Sequence, residues 1–521
     1  MHLRTSTTAI AIATMLAGSF APLAPLQAQQ NSRRSAAYCR TPVSLPTLAR
    51  EDDGQRNQQN RPEPRRRVGT VSDREMASAV PPPPPPPPSP APLISDDVGD
   101  IAVTASASRG EASDASGPDE SSAASSAEST TYGGRIIMPS PVPPRPYPHP
   151  QAGRLTAGEH DDLLNPELYA RYVRDSNLAQ SIPSLPRVDT ARLLTVEVHD
   201  ANGRGVPFAE VVLTCSDGNA ITLATQADGR VTFFPGIDRL SRTATVRVRY
   251  QGRWQGAARP IAIAAEPGVQ SVGFTVGNSA VAATKLDLML VVDTTGSMGD
   301  EIGYLQSELQ SIVSSIRHRH PGLDVRVGFV FYRDIGDDYV TRTVPFDRDM
   351  GRASTALGEQ YATGGGDYPE AMDQALIRAV GQGWRPDAVK TMLLVADAPP
   401  HDDLFGRTWG AVESLRAQRV QIVPVAASGV ADNAEYAMRA MAAFTQSRYL
   451  FLTDDSGIGN AHAAPAIDCY LVTRLDALLR RVIDSQISGR RIEPSDGEII
   501  RSVGQYDGGR CVLPPNFGKD S

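Results

Sequence analysis

The chain has 521 residues and could form two or three folded domains, but its 42 prolines and 44 glycines indicate that part of it does not fold. A formal net charge of −8 and a pI near 5.6 argue against nucleic acid as the main partner. The informative residues lie in the later part of the chain.

Residues 1–28 have the pattern of a cleaved secretory signal peptide. A basic start with His2 and Arg4 precedes an apolar run from Ala9 to Phe20, which leads to a small-residue exit at Ala28. That run is shorter than the roughly 20 residues that a membrane-spanning helix needs, and no later stretch reaches that length. We therefore expect an exported protein, periplasmic, at the cell surface or secreted, without an integral membrane segment after signal removal.

Residues 29–151 are rich in Gln, Ser, Ala, Arg and Pro and include the run PPPPPPPPSPAP at 81–92. Such a composition cannot bury enough apolar surface to offset the entropy of ordering, so we expect a disordered linker. The proline run favours an extended polyproline helix, which suits a stiff spacer better than a ligand for an aromatic groove.

Residues 152–187 are interpreted as a short helical docking segment. The stretch LTAGEHDDLLNPELYARYVR, residues 155–174, carries leucines and tyrosines at roughly helical spacing. Its apolar face is expected to pack on a neighbouring domain, whereas the acidic residues Glu159, Asp161 and Asp162 could belong to a further site.

Residues 188–278 alternate apolar and polar residues, with turn signals such as Asn202-Gly203 between the runs. This pattern predicts a small antiparallel β-sandwich. The stretch TVEVHDANGRGVPFAEVVLTCSDG resembles bacterial immunoglobulin-like modules of the carboxypeptidase-regulatory or collagen-adhesin B type, which implies a stalk without a reactive site.

Export would place the four cysteines in an oxidising compartment, where disulfides persist. Four thiols allow three pairings of Cys39, Cys215, Cys469 and Cys511. Because Cys469 and Cys511 lie around one helix near the C-terminus, we favour their pairing. Cys215 lies in an apolar strand and could equally remain a buried free thiol.

Residues 285–490 alternate buried strands with amphipathic helices, the last predicted at 471–488, and residues 491–521 form a C-terminal tail. Strands that are apolar on both faces and joined by helical crossovers predict a doubly wound α/β domain with a mostly parallel sheet. Ligands of such open sheets lie outside the carboxyl ends of the strands, where Asp293 and Asp397 fall.

Three loops are expected to meet at that edge of the sheet. They are DTTGS at 293–297, GGGDYPEA at 364–371 and ADAPPH at 396–401. A carboxylate followed by hydroxyls two and four residues later can direct three oxygen atoms at one centre, as hard cations such as Mg²⁺ require. Alone, the first motif is as typical of a helix N-cap as of a metal site, and the other two loops favour the metal site.

The order and content of these loops resemble a von Willebrand factor A domain with a metal-ion-dependent adhesion site. The resemblance covers residues 286–485 and implies that Asp293, Thr295 and Ser297 are ligands from the first loop and Asp397 from the third. It also implies a divalent cation, Mg²⁺ or alternatively Ca²⁺ or Mn²⁺, whose open coordination position accepts an acidic side chain of a protein partner.

The second loop departs from the family pattern, because the usual threonine is missing. Alignment of the following helix places Glu370 at that position, with Asp367 as the alternative. A third carboxylate makes the site net negative, which weakens its attraction for an incoming carboxylate and favours tighter cation binding or Ca²⁺.

The leading interpretation is a binding protein, not an enzyme, with a disordered spacer, a sandwich stalk and a metal-bearing recognition domain. A rival is a phosphoryl-transfer enzyme with Asp293 as nucleophile, because DTTGS also resembles the Asp-x-Thr-Gly-Thr of aspartyl-phosphate enzymes. That chemistry needs a cation near the phosphate, and Lys390 lies about 23 Å from the ligand edge at about 3.3 Å per residue. A third interpretation is an envelope-complex assembly factor whose site binds an internal acidic segment, such as Asp96-Asp97 or Asp119-Glu120.

Overall fold

The computed structural model describes residues 37–51, 152–300, 302–458 and 461–513. The signal peptide expected at 1–28 and most of the linker expected at 29–151 lie outside these ranges. Within them, no helix combines the length and the apolar character needed to cross a membrane.

The segment after the linker begins with strand β1 (Thr156–His160), followed by helices α1 (Pro166–Asp175) and α2 (Leu178–Ser181). The helix predicted over 155–174 is therefore wrong in its first part. All residues of β1 are buried, and the Glu159 carboxylate lies 2.6 Å from the Arg448 guanidinium. A charged residue can be buried in this strand because its counter-charge comes from a residue almost 300 positions away in the chain.

Two sheets sharing one core follow, as the alternating pattern predicted. Their strands run in the orders β5-β2-β8 and β4-β3-β6-β7. The strands are β2 (Arg192–His199), β3 (Glu210–Cys215), β4 (Ala220–Ala224), β5 (Arg230–Phe233), β6 (Thr243–Tyr250), β7 (Arg253–Ala262) and β8 (Gly268–Thr275). The pairing of β2 with β8 is parallel, an exception to the predicted antiparallel sandwich.

The α/β domain alternates strands and helices from residue 285 onward. Its first part contains β9 (Lys285–Asp293), α3 (Ile302–Arg319), β10 (Asp324–Tyr332), β11 (Thr341–Asp347), α4 (Met350–Gly358), α5 (Met372–Val380) and β12 (Val389–Ala396). Its second part contains α6 (Phe405–Ala417), β13 (Gln421–Ala426), α7 (Asp432–Phe444), β14 (Tyr449–Thr453), β15 (Tyr470–Arg474) and α8 (Leu475–Ser488). The tail adds β16 (Arg501–Val503), β17 (Tyr506–Asp507) and β18 (Arg510–Cys511).

One nine-stranded sheet runs in the order β11-β10-β9-β12-β13-β14-β1-β15-β16. The strands from β10 to β14 in this order pair in parallel. The flanking pairs, which involve β11, β1 and β16, are antiparallel. The predicted α/β architecture is confirmed, and the sheet recruits strands from both sides of residues 285–490.

Both faces of this sheet are buried, as a doubly wound fold requires. Met289 and Val291 of β9 belong to one core, which includes residues of α5, α6 and α7. Leu288 and Leu290 belong to the other core, which includes residues of α3, α4 and α8. The uninterrupted apolar run LDLMLVVD follows from this two-sided burial.

The helix predicted at 471–488 is wrong at its start. Residues 470–474 form β15 between β1 and β16, and α8 begins only at Leu475. The sequence YLVTR joins the helical pattern without a proline or glycine between them, so its spacing alone did not separate the strand from the helix.

The four cysteines form two disulfides. Cys469 pairs with Cys511, as predicted, and Cys39 pairs with Cys215, so the free-thiol alternative for Cys215 is wrong. Neither disulfide could be assigned by local spacing, because their partners are 42 and 176 positions apart.

Residues 37–51, here called the strap, lie against the folded domains although their composition placed them in the linker. Cys39 ties the strap to the sandwich, and Arg40 forms an ion pair of 2.9 Å with Glu413 of α6. Glu51 accepts hydrogen bonds from the backbone N–H and hydroxyl of Thr343 in β11, at 3.0 and 2.6 Å. The strap thus connects the sandwich with the β11 edge of the large sheet.

A capping substitution tests the local structure of α4. Asp349 accepts hydrogen bonds from the backbone N–H groups of Gly351 and Arg352, at 2.9 and 3.3 Å. We expect Asp349→Ala to lower the free energy of unfolding by about 1 kcal/mol, because two helix N–H groups lose their acceptor. Urea unfolding measures the change, and Glu359→Ala at the other end of α4 is the control, expected within about 0.5 kcal/mol of the wild type. Equal losses in both variants would contradict the cap.

Candidate metal-binding site

The first loop gathers one carboxylate and two hydroxyls at the end of β9. Asp293 is the last residue of that strand and is buried. One carboxylate oxygen, Oδ1, accepts hydrogen bonds from the Thr295 backbone N–H at 2.9 Å and from its hydroxyl at 2.7 Å. The Thr295 hydroxyl is also 3.2 Å from that of Ser297, which is exposed. The three oxygen-bearing side chains therefore follow one another from the interior to the surface.

The second loop lies directly on the first. The backbone N–H of Thr363 donates to the carbonyl of Thr294 at 3.0 Å, and that of Gly296 donates to the carbonyl of Gly364 at 3.1 Å. Gly365 has a φ of +72°, and a Cβ there would lie 2.9 Å from Glu370 Oε1 and 3.3 Å from the Thr295 Cβ. A glycine is thus required where the Glu370 carboxylate approaches the first loop.

The third loop completes the arrangement from β12, the neighbour of β9 in the sheet. Asp397 directly follows β12 and is buried. The Glu370 backbone N–H donates to the Pro399 carbonyl at 3.0 Å, and the Tyr368 hydroxyl donates to the Asp397 carbonyl at 3.1 Å. All three predicted loops therefore meet at one edge of the sheet.

Mutual repulsion among the carboxylates is large. Burial first, and the charge of Asp397 second, raise the pKa of Asp293 to about 7. Burial, followed by the charges of Asp293, Asp334 and Asp397, raises the pKa of Glu370 to about 9. Acidic groups share this pocket without a basic group among those causes, so their ionisation requires a counter-charge.

Two buried oxygens indicate where a counter-charge would be bound. Glu370 Oε2 has no hydrogen-bond partner in the part of the chain that the structure describes, and Asp293 Oδ2 has none there apart from the nearby Tyr332 hydroxyl. Carboxylate and hydroxyl oxygens fit Mg²⁺ or Ca²⁺ chemically. Across the described ranges, however, no three Asp, Glu, His or Cys side chains are arranged to hold a metal ion by themselves. A cation would therefore also need the hydroxyls of Thr295 and Ser297, and water.

The two candidates for the missing threonine occupy different environments. The side chain of Glu370 is buried, with 3% of its surface exposed, and it faces the first loop. Asp367 is exposed, and no hydrogen bond or ion pair to it is recorded from the described residues. Of the six predicted ligands, four are buried where the loops meet, and two, Ser297 and Asp367, are exposed.

Two acidic residues near the junction were not predicted as site residues. Asp334 Oδ1 lies 2.8 Å from His401 Nε2, and Asp337 accepts a hydrogen bond from the Gly365 backbone N–H at 2.8 Å. The Arg333 guanidinium lies 4.0 Å from the Asp338 carboxylate. The run RDIGDD after β10 carries the acidic signal, but β10 alone gave no indication that this loop reaches the second loop.

The two lysines among the described residues, Lys285 and Lys390, lie at the starts of β9 and β12. Lys390 donates to the backbone carbonyl of Gln418 at 2.7 Å, next to the start of β12 and away from the strand's carboxyl end. Its ammonium group therefore lies near the opposite edge of the sheet from Asp397.

Comparison with known proteins identifies the part of the chain that carries this site. The family model for the von Willebrand factor A domain matches residues 287–462. The chain is 31% identical over 118 residues to the alpha-protein kinase vwkA of Dictyostelium discoideum, covering 22% of this chain and 19% of the relative. It is 34% identical over 119 residues to the putative ariadne-like RING finger protein R811 of Acanthamoeba polyphaga mimivirus, covering 22% and 11%. The chain thus spans less than a fifth of the length of either relative.

The solved structures that match the chain include bacterial proteins. The pilus adhesin SpaC of Lactobacillus rhamnosus GG is 13% identical with a TM-score of 0.31, covering 47% of this chain and 32% of that one. The conserved hypothetical protein BatB of Bacteroides thetaiotaomicron is 12% identical with a TM-score of 0.27, covering 39% and 98%. These likenesses concern the fold alone.

Proposed function

We propose that this protein is an exported, metal-dependent protein-binding protein whose von Willebrand factor A-like domain captures its partner at the junction of the three loops. The observation that carries the proposal is the meeting of the buried Asp293 and Glu370 carboxylates, whose pKa values are raised by burial and by neighbouring carboxylates. The ligands would be Asp293, Thr295, Ser297, Glu370 and Asp397. Mg²⁺ is the expected cation, with Ca²⁺ or Mn²⁺ as alternatives.

A cation in this position would supply positive charge and an open coordination position for an oxygen atom of the partner. Ser297 is exposed, so the route from solvent leads past its hydroxyl. The resemblance implies an acidic side chain as the partner's oxygen donor. The Glu370 carboxylate reduces the positive charge available to such a group, so the partner must supply further contacts around the site.

Binding, rather than catalysis, is the activity that we propose. The phosphoryl-transfer alternative would need a cationic side chain beside Asp293, and the Lys390 ammonium is held by the Gln418 carbonyl instead. Arg333 directly follows β10. Its guanidinium carbon lies over the Tyr339 ring, 4.4 Å from the ring centroid.

Export is supported by the cysteines. Both disulfides join distant parts of the fold, and such bonds persist in oxidising compartments such as the periplasm or the cell exterior. We therefore propose a periplasmic or cell-surface location, in agreement with the signal peptide expected at 1–28.

The test measures Mg²⁺ and Ca²⁺ binding to the full-length protein by calorimetry and by the shift in melting temperature. We expect Asp293→Ala to abolish the shift, because it removes the innermost carboxylate of the first loop. Asp367→Ala is the matched control and should retain it, since the Asp367 side chain is exposed whereas that of Glu370 is buried. Crosslinking to envelope proteins with Mg²⁺ or with a chelator then tests whether capture of a partner needs the cation. Identical melting with Mg²⁺ and with chelator would refute the proposal.

A further inference from the structure

The four-stranded sheet of the sandwich displays two arginines and a tryptophan on its outer face. Along β6, Val246 and Val248 are buried in the sandwich core, whereas Arg247 and Arg249 are exposed. Because successive residues of a strand point to opposite faces, both arginines lie on the side away from that core. Trp254 of β7 is the cross-strand partner of Arg249 and shares its face.

These side chains form a compact unit. The Arg247 guanidinium carbon lies 3.9 Å from the centroid of the Trp254 ring, and that of Arg249 lies 5.7 Å away. Cation–π contacts hold the indole in place, yet 44% of the Trp254 surface remains exposed. An exposed tryptophan that is fixed by its neighbours loses little entropy when a ligand stacks on it.

This face carries an excess of positive charge. Arg249 forms an ion pair with Glu210, its cross-strand partner on β3. Among the described residues, no carboxylate forms an ion pair with Arg247, so one positive charge remains in excess. The formal net charge of the whole chain is −8, so this positive face differs in sign from the net charge of the protein.

Apart from Glu210, the cross-strand partner of Arg249, the rest of the face is flat and carries small, uncharged side chains. Val212 and Thr214 of β3 pair with Arg247 and Thr245 of β6, so the face continues across these strands with small side chains. Strand β7 is the edge of its sheet and is exposed along nearly its whole length. A long ligand could therefore lie across β6 and β7 without steric obstruction at the edge of the sheet.

We propose that this outer face binds an acidic polysaccharide. A pyranose ring presents an apolar C–H face that stacks on an indole, and a uronate carboxylate matches the two parallel N–H donors of a guanidinium. An extended peptide would be held by pockets for its side chains, which a flat face does not provide. Nucleic acid would also stack and pair with arginine, but the negative net charge disfavours a polyphosphate, and the disulfides favour a compartment outside the cytoplasm.

This inference is independent of the metal site, because it rests on the sandwich alone. The probe is polygalacturonate, titrated into the full-length protein in the presence of chelator, with neutral dextran as the comparison. We expect binding to polygalacturonate that weakens as NaCl is raised. Arg247→Ser and Trp254→Ala should each weaken it about tenfold, since each removes one of the two recognition elements.

Arg352→Ser is the matched control, because it removes one exposed positive charge from α4, outside the sandwich. It should bind within about twofold of the wild type, since only a weak surface ion pair is lost. Arg249→Ser provides a second variant at the proposed face, and melting curves show which variants remain folded. Absence of binding, equal binding of dextran, equal weakening by Arg352→Ser, or tighter binding of single-stranded DNA or anionic vesicles would each overturn the proposal.

Discussion

Without a bound cation, the protein is expected to lose stability as the pH rises from about 4 to about 9, and Mg²⁺ is expected to remove most of that loss. Burial, followed by the charge of Asp397, raises the pKa of Asp293 from 3.8 to about 7. Burial, followed by neighbouring carboxylates, raises the pKa of Glu370 from 4.5 to about 9. Both groups therefore hold a proton in the folded state at pH values where the unfolded chain has released it.

The sign of the effect follows from proton linkage. A folded-state pKa above the unfolded value means that the folded state binds more protons. The stability that these protons contribute is complete below the unfolded pKa and is lost as the pH rises through the folded pKa. Each unit of pKa shift corresponds to about 1.4 kcal/mol, so the two carboxyl groups should change the free energy of unfolding by several kcal/mol. A divalent cation would replace the protons as counter-charge and flatten the dependence.

Urea unfolding across this pH range, in chelator and in Mg²⁺, measures the effect. Asp293→Asn and Glu370→Gln each remove one titrating group, so both variants should be more stable than the wild type in chelator near pH 8. Asp228 and Glu308 also have raised pKa values, about 6 and about 7, and contribute in the same direction. Their contribution is common to all variants and cancels in the difference. Parallel wild-type and variant curves would contradict the prediction.

The second large effect concerns a buried charge cluster behind β1. The Arg439 guanidinium, from α7, lies 2.7 Å from Asp162 and 3.1 Å from Glu435, and it also donates to the Ala466 carbonyl at 2.8 Å. The ring of Tyr172 covers it at 4.0 Å. Arg439→Met should lower the free energy of unfolding by about 3–5 kcal/mol, because two buried carboxylates lose their counter-charge.

Urea unfolding near pH 7 measures this loss as well. Arg480→Met is the control, because Arg480 pairs with Asp476 four positions away on the more exposed side of α8, where such a pair contributes about 0.5 kcal/mol or less. The double variant Arg439→Met/Asp162→Asn should recover part of the loss, since one unpaired charge is removed. A loss below about 1 kcal/mol for Arg439→Met would show that the cluster is not required for the fold.

This cluster explains why β1 could not be predicted from the sequence. The acidic group Glu159, Asp161 and Asp162 suggested the exposed start of a helix, because carboxylates are typical of the first helical turn. In the structure, Glu159 and Asp162 are buried and are paired with Arg448 and Arg439. Those arginines lie far along the chain, so no local pattern could assign them as partners.

The α/β domain, by contrast, was predictable because its signals are local. Strands buried on both faces must be apolar throughout, and residues 286–293 and 389–396 are so except for two polar positions in each. The polar positions have long-range explanations: Asp287 is buried between the guanidinium groups of Arg326 and Arg385. Such pairs interrupt the apolar pattern without changing the type of element.

The sequence predicted which three loops form the candidate site. The carboxyl ends of neighbouring parallel strands meet at one edge, which placed Asp293 and Asp397 together in advance. The sequence alone did not decide between Glu370 and Asp367, because both follow the flexible run Gly364–Gly366. The hydrogen bond from the Glu370 backbone to Pro399 turns Glu370 inward, and this contact between two loops has no signature in either of them.

The strap has a topological consequence for residues 52–151. Glu51 is held at the β11 edge, and the N–H of Gly153 donates to Glu308 of α3 at 2.7 Å. A proline-rich run separates two bodies only when its ends belong to different bodies. The distance between the sandwich and anything attached ahead of Cys39 is accordingly governed by the Cys39–Cys215 bond. A longer proline run between Glu51 and Gly153 would leave that distance unchanged.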